Sequence, residues 1–404
     1  MNLRKSGFGA ALVVCGLLAA PRPASAQTFY SILDLGVLPG DFASFANGLN
    51  DAGQVVGISQ TAGGATHGFL YSGGSKTDIG SLSGGDTYAN AINTAGNIVG
   101  SAFNPATGAF QAFRTTPGGS LNAAALLGAF PTAGSTDSFG YGVNAAGRTV
   151  GYAYNGTSNH AYRTTAAGGI DAASDLGTLG GDNSYAFGIN TSGQVAGYSD
   201  TAPDINGNSV THAFRTSAAG TMSDLNTLGG SNSYATALND SGQVIGYSDL
   251  ADGSQHAFRT SANTAINPLT DDLGTLGGLF SYAYGINSAG ITVGYSDTAN
   301  GDQRAFVLQG PTMFDLTNLL LTNPDAWVLT NANAVNTSGQ IAGTGLINGE
   351  QHAYLLTPIR TTGPATPEPG TWTLLFASAG SGLLFARRKF ARGKKSVFSG
   401  KLEV

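Results

Sequence analysis

The stretch Ser184-Tyr185-Ala186-Phe187-Gly188-Ile189-Asn190-Thr191-Ser192-Gly193-Gln194-Val195-Ala196-Gly197-Tyr198-Ser199-Asp200 decides the fold. Two strand-prone runs flank Asn190 to Gly193, and Asn with a nearby Gly supplies the left-handed backbone positions of a tight hairpin. Upstream lies Asp175-Leu176-Gly177-Thr178-Leu179-Gly180-Gly181, and downstream His212-Ala213-Phe214-Arg215. Both have strand character. The four pieces recur from Asp224 to Arg259 and again from Asp272 to Phe306.

The Asn that ends the second piece fixes the register. It stands at Asn50, Asn93, Asn144, Asn190, Asn239, Asn287 and Asn336, at steps of 43, 51, 46, 49, 48 and 49 residues. A Gly follows three residues later each time, from Gly53 to Gly339. Units of this length with four short strands fit propeller blades. The body opens with Phe29-Tyr30-Ser31-Ile32-Leu33-Asp34-Leu35-Gly36, the last strand of a unit, and finishes with His352-Ala353-Tyr354-Leu355-Leu356, a unit lacking that strand. A split unit lets the N-terminal strand complete the last blade and remove exposed sheet edges. The expected fold is therefore all-β, a seven-bladed β-propeller of four-stranded blades closed by the N-terminal strand. A β-solenoid with two rungs per unit is the alternative.

Composition agrees with this class. Only 10% of the 404 residues are charged and 61 are Gly, far from a typical globular domain. Between Gln27 and Arg360 there are 8 Lys or Arg against 22 Asp or Glu, a net charge of −14. A body this acidic repels phosphate backbones, so no nucleic-acid partner is expected. The one cysteine, Cys15, falls in the leader, which excludes disulfides, thiolate metal sites and a Cys nucleophile from the body.

The two ends read as addresses. Met1-Asn2-Leu3-Arg4-Lys5, an apolar run from Phe8 to Ala20, and Ala24-Ser25-Ala26 make a signal peptide over residues 1–26. Signal peptidase is expected to cut after Ala26, with Ala24 and Ala26 as the cleavage motif. A transmembrane anchor is the alternative, for which the run is short. The C-terminus carries Pro367-Glu368-Pro369, an apolar stretch over 372–386, and Arg387-Arg388-Lys389. These three parts in order resemble the PEP-CTERM sorting signal. The resemblance implies sorting through residues 366–392 by an exosortase-type enzyme of a Gram-negative bacterium, with transient passage through the membrane. A permanent C-terminal anchor is the alternative. A Pro/Thr/Gly linker over 359–369 joins the tail to the body, and a basic tail over 393–404 follows it.

The units of 27–358 resemble the HAF repeats of bacterial extracellular proteins, named for His-Ala-Phe. Here that motif is His212-Ala213-Phe214 and His256-Ala257-Phe258, with variants at His67, His160 and His352. All five histidines thus share one repeat position, where Gln111 and Arg304 also stand. A catalytic His is set by one special environment, so these read as structural hydrogen-bonding groups. Asp34, Asp78, Asp175, Asp224, Asp272 and Asp315 open equivalent strands, and Arg114, Arg163, Arg215 and Arg259 follow the aromatic of the neighbouring strand. Cross-strand Asp–Arg pairs are expected. Glu350 is the only Glu of the body, and no unrepeated carboxylate pair suggests a glycosidase. The Gly-Gly elements lack the Lys-Ser/Thr of a phosphate loop.

No catalytic, cofactor-binding or metal-binding residue is therefore assigned, although Ca²⁺ in loops such as Asp200 to Asn208 stays open as a weak alternative to a hairpin tip. Trp327, the only Trp of the body, reads as core or as part of a ligand face. The expected function is an exported cell-surface or extracellular-matrix protein, not an enzyme, acting as a binding or structural module. The tail's resemblance implies an exopolysaccharide partner. A polysaccharide lyase or hydrolase on the same scaffold is the alternative, and ice binding rests only on another label for the tail.

Overall fold

A computed structural model describes residues 27–359, apart from 132–133, 135–136, 204–206, 208–209 and 324. The signal peptide, the sorting segment, its apolar stretch and the basic tail lie outside these residues, as does the linker beyond Ile359. No helix among the described residues is long and apolar enough to cross a membrane.

The chain is all-β. Strand β1 spans Phe29–Asp34, and seven units follow. The first holds β2 Asp41–Leu49, β3 Val55–Thr61, β4 Thr66–Ser72 and β5 Ser75–Asp78; the second, β6 Thr87–Ile92, β7 Ile98–Asn104 and β8 Ala109–Arg114. The third holds β9 Ser138–Val143, β10 Thr149–Tyr154 and β11 Asn159–Arg163; the fourth, β12 Gly180–Ile189, β13 Val195–Thr201, β14 Thr211–Thr216 and β15 Met222–Asp224. The fifth holds β16 Ser233–Leu238, β17 Val244–Asp249 and β18 Gln255–Arg259; the sixth, β19 Gly277–Ile286, β20 Thr292–Thr298, β21 Gln303–Gln309 and β22 Thr312–Asp315. The seventh holds β23 Val328–Val335, β24 Ile341–Ile347 and β25 Glu350–Ile359. Within each unit the strands run antiparallel in sequence order, and β1 pairs with β25 from Phe29–Ile359 to Asp34–Tyr354. The units form six hydrogen-bonded sheets, because one parallel bridge, Gln255 to Phe280, merges the fifth and sixth.

Four strands per unit do not hold throughout. In the second, third and fifth units the fourth strand shrinks to a single bridge: Phe113–Leu126, Tyr162–Asp175 and Phe258–Asp272. Local capping explains two of these. Ala123–Ala125 and Ala172–Ser174 wind into 3-10 turns, capped by Asn122 and by an Asp171–Ser174 box, in place of an edge strand.

The strand-opening aspartates also differ from expectation: they close strands or follow them. Asp34, Asp78, Asp224 and Asp315 are the last residues of β1, β5, β15 and β22. In each turn the Asp carboxylate accepts from the N–H two residues on, at 2.7–2.8 Å for Gly36, Gly80, Gly177, Asn226, Gly274 and Thr317. That Asx turn pulls the chain out of the ladder and sends it to the next unit.

The core lies between units. The aromatic of the His-Ala-Phe position is fully buried in every unit: Phe69, Phe113, Tyr162, Phe214, Phe258, Phe306 and Tyr354. Trp327 is core, 2% exposed and packed with Tyr30, Leu316 and Tyr354.

Candidate functional site

Each repeat Asn ends or follows the first strand of its unit and is nearly fully buried. Asn50 shows how one side chain serves both its own turn and the next unit. Its Oδ1 accepts from the N–H groups of Ala52 and Gln54, and its Nδ2 donates to Gln54 and to the carbonyl of Asn93 at 3.0 Å. Asn93 donates likewise to Asn144, Asn144 to Asn190, and Asn190 to Asn239. Asn239 donates to Asn287, Asn287 to Asn336, and Asn336 back to Asn50 at 3.1 Å. The seven amides form an unbroken cycle. The Gly three residues later has positive φ in every copy, 75–88°, which only Gly adopts cheaply.

The histidines bind the aspartates. A carboxylate only accepts, so Nδ1–H donates: His160 to Asp175 at 2.9 Å, His212 to Asp224 at 2.8 Å, His256 to Asp272 at 2.9 Å and His352 to Asp34 at 3.0 Å. Burial alone would raise the carboxyls of Asp175, Asp224 and Asp272. The His and the backbone N–H override it and hold all three below the usual carboxylate range. In the first unit His67 turns instead to the buried Asp41, at 3.2 Å. The arginines therefore do not pair with these aspartates. Arg114, Arg163, Arg215 and Arg259 each reach the carbonyl of the turn Gly of the following unit, at Gly147, Gly193, Gly242 and Gly290. The aspartates are already occupied by the nearer imidazoles on the same sheet, and the longer guanidinium spans to the neighbour. Among the described residues no group of three or more His, Cys, Asp or Glu is placed to hold a metal ion.

A large cavity among the described residues is built from residues outside these sets. It has a volume of about 560 Å³, and the first strands of all seven units contribute to it. Its wall is set by the residue three before each repeat Asn: Asn47, Asn90, Tyr141, Phe187, Thr236, Tyr284 and Asn333. None of the lining residues carries a charge. An apolar collar of Leu49, Ile92, Val143, Ile189 and Leu238 divides it from a recess of about 240 Å³ over the Asn cycle.

The wall has two sectors. Asn333, Asn47 and Asn90 come from three successive units, and each donates its amide N–H to the next unit, at Ala46, Ala89 and Gly140. This leaves each Oδ1 as an acceptor. The other sector is aromatic, with Tyr141, Phe187, Tyr198, Tyr234, Tyr247 and Tyr284 on the cavity. Tyr198, Tyr234 and Tyr247 belong to a run of ring contacts that continues behind the wall without a break from Tyr88 through Phe110, Phe139, Tyr152, Tyr185, Tyr198, Tyr234, Tyr247 and Tyr282 to Tyr295, at centroid distances of 4.5–5.8 Å. Burial pushes the Tyr198 and Tyr284 phenols up to about 12, and neighbouring phenols add to it. These rings are neutral at any physiological pH.

Sequence reasoning passed over this wall because it sought unrepeated acids and histidines. The signal was present: at the position three before the Asn the residue type changes from unit to unit, between Asn, Tyr, Phe and Thr.

No family model matches the chain, and no curated protein matches it. Solved structures do. A puromycin-hydrolysing peptidase of Mycobacterium tuberculosis matches at 14% identity and TM-score 0.49, over 79% of this chain and 53% of its own. A six-bladed β-propeller lectin of Aleuria aurantia matches at 11% identity and TM-score 0.35, over 83% and 100%. A putative gluconolactonase matches at 12% identity and TM-score 0.36, over 85% and 99%. The chain spans about half the length of the puromycin hydrolases it resembles. These likenesses give it no activity or ligand. They do correct one expectation: structures like this one include hydrolases, so the reading of the chain as not an enzyme is withdrawn.

Proposed function

We propose that this protein is an exported repeat protein of the cell surface or extracellular matrix of a Gram-negative bacterium, and that its cavity binds a neutral exopolysaccharide. In this reading the seven units are the blades of one propeller and β1 completes the last. The Asn cycle and the β1–β25 pairing support the ring over a rod. Export rests on the leader with Ala24 and Ala26, and sorting on Pro367-Glu368-Pro369 with Arg387-Arg388-Lys389, which an exosortase-type enzyme would process.

The observation that carries the binding proposal is the uncharged, two-sided cavity wall. Its volume lies in the range of small-molecule sites, about 300–1,000 Å³. Aromatic faces on one side suit the apolar face of a sugar ring, and amide oxygens on the other accept from its hydroxyls. A charged ligand would leave water for a site with no counter-charge, at several kcal/mol.

The test is affinity electrophoresis of the purified protein through gels containing neutral glucans, galactans or mannans, with an acidic polysaccharide as contrast. Retardation by a neutral polymer but not by the acidic one is the expected result. Retardation only by the acidic polymer, or by none of the series, overturns the proposal.

A further inference from the structure

A break in the wall's own pattern points to one position inside the cavity. Three residues before the repeat Asn stands the wall residue, and eight after it stands a residue of the second strand. In the third, fourth and sixth units an aromatic wall residue covers a Tyr. Tyr141 stacks on Tyr152 at 5.9 Å, Phe187 on Tyr198 at 5.4 Å, and Tyr284 lies over Tyr295 at 5.8 Å. In the seventh, first and second units an Asn at the wall position goes with a non-aromatic residue at the second: Asn333 with Thr344, Asn47 with Ile58, and Asn90 with Ser101. Large cover goes with ring, and amide with no ring, in six units of seven.

The fifth unit breaks the rule. Its second-strand residue is Tyr247, but its wall residue is Thr236. The Thr hydroxyl lies 2.6 Å from the carbonyl of Ala283 in the next unit and 3.3 Å from that of Ile245 in its own, which fixes the short side chain between the two strands, and no ring stands at this position to cover Tyr247. The consequence is visible in the cavity. Tyr247 lines it with no wall ring over it, together with Tyr234 and with Tyr198, which Phe187 covers in part; the covered rings Tyr152 and Tyr295 do not reach it. Tyr234 stacks on Tyr247 at 4.8 Å and 22°, and Tyr198 meets Tyr234 edge-on at 5.1 Å. The result is an alcove with two near-parallel rings and a third at an angle to them.

We propose that Thr236 is the specificity-determining residue of the cavity: by being small it opens a stacking subsite on Tyr247 for one neutral pyranose ring of the bound polymer. This rests on the polysaccharide reading above. The ring's axial hydrogens would meet the Tyr247 face, and its hydroxyls would reach the Tyr198 and Tyr234 phenols, which are donors and acceptors in their neutral state. An Asn at 236, as in three other units, would place an amide there, and a Phe or Tyr would fill the alcove.

The substitution Thr236→Phe tests it, because Phe at this position is what the fourth unit already carries at Phe187, so the backbone accommodates it. The full chain and this variant are compared on the neutral polysaccharide that retards the parent most. Thr236→Ser keeps the hydroxyl and the opening, and serves as the second variant. Retention is expected to fall at least tenfold in Thr236→Phe and to stay within twofold in Thr236→Ser. Choline, a cation probe for an aromatic cage, is expected not to compete. Equal binding by parent and Thr236→Phe overturns the alcove while leaving the polysaccharide reading standing, as does loss of binding in Thr236→Ser alone. Competition by choline assigns the alcove to a cation and overturns the pyranose. A parent that binds no neutral polymer overturns both.

Discussion

A single amide at each repeat carries an unusual share of the contacts between units. Asn239 accepts from the N–H groups of Ser241 and Gln243, both at 3.1 Å, and donates to Gln243 at 2.9 Å and to the carbonyl of Asn287 at 3.1 Å. It is only 5% exposed. Replacing it with Ala leaves two part-buried N–H groups and a buried carbonyl without their partner. Each net bond is worth about 1 kcal/mol, and an orphaned buried group costs about 1–3 kcal/mol. Asn239→Ala is expected to lose about 2–4 kcal/mol, read as a lower urea midpoint at unchanged slope. Asn239→Asp keeps the acceptor but sets a carboxylate oxygen against the Asn287 carbonyl, so it is expected to be at least as damaging. A loss below about 0.5 kcal/mol for both would show that the cycle is decoration. Gln54, Gln194, Gln243 and Gln340 stand four residues on and take the same amide's second hydrogen in their units, which is why Asn, with two donors and a short reach, is the residue that recurs.

At the scale of elements, the turn after each strand-closing Asp sets where the chain crosses to the next unit. Gly36, Gly177 and Gly274 follow it with φ of 58°, 70° and 68°, while the fifth crossing uses Asn226 at 61°. A Cβ at Gly274 would meet nothing within 4 Å, so substitution there costs backbone conformation alone. Gly274→Ala is expected to destabilise by about 1–2 kcal/mol, and Gly274→Asn by less, since Asn visits this region with a local hydrogen bond. Equal thermal midpoints for the two variants would refute that account. These elements also show what a sequence yields. The Asn–x–x–Gly hairpin was legible because its chemistry is local and repeated seven times. The extent of the fourth strand was not, because a carboxylate at the end of a strand and one at its start look alike until the N–H it captures is known. The Arg contacts were misread for a related reason: their acceptors are backbone carbonyls 27–33 residues away, which no residue type announces. The alcove at Tyr247 was hidden by the repeat itself. Attention to what recurs discounts the one unit in which two positions, eleven residues apart, fall out of step.

Across the whole molecule, the two ends of the described chain are held by the same bonds that join ordinary neighbours within a unit. Six residues of β1 pair with β25, Tyr30 is 2% exposed in the cluster around Trp327, and the Leu35 N–H donates to the Ala353 carbonyl. Asp34 takes the His352 imidazole, and the Lys76 ammonium donates to the Gly36 carbonyl just beyond the strand. Burial lowers the Lys76 amine to about 8, although Asp34 and Asp41 act to raise it. The chain just beyond β1 is therefore also tied to the first unit. Without β1, β25 would present an unpaired ladder next to exposed apolar core, the arrangement that recruits strands from other chains. Deleting residues 29–34 from the mature protein is expected to give concentration-dependent oligomers by sedimentation velocity and a lower unfolding midpoint. Burial of Tyr30 alone should account for about 3 kcal/mol of the loss. A synthetic peptide of Phe29–Asp34, supplied in excess, is expected to restore the monomer by occupying the edge of β25. The peptide variant with Tyr30→Ala should do so poorly, since it keeps the ladder and loses the anchor. A deletion variant that stays monomeric with an unchanged midpoint would mean that β1 is an accessory strand and that the other bonds between the first and seventh units, from Asn336 and Asn333 to Asn50 and Ala46, suffice to hold them together.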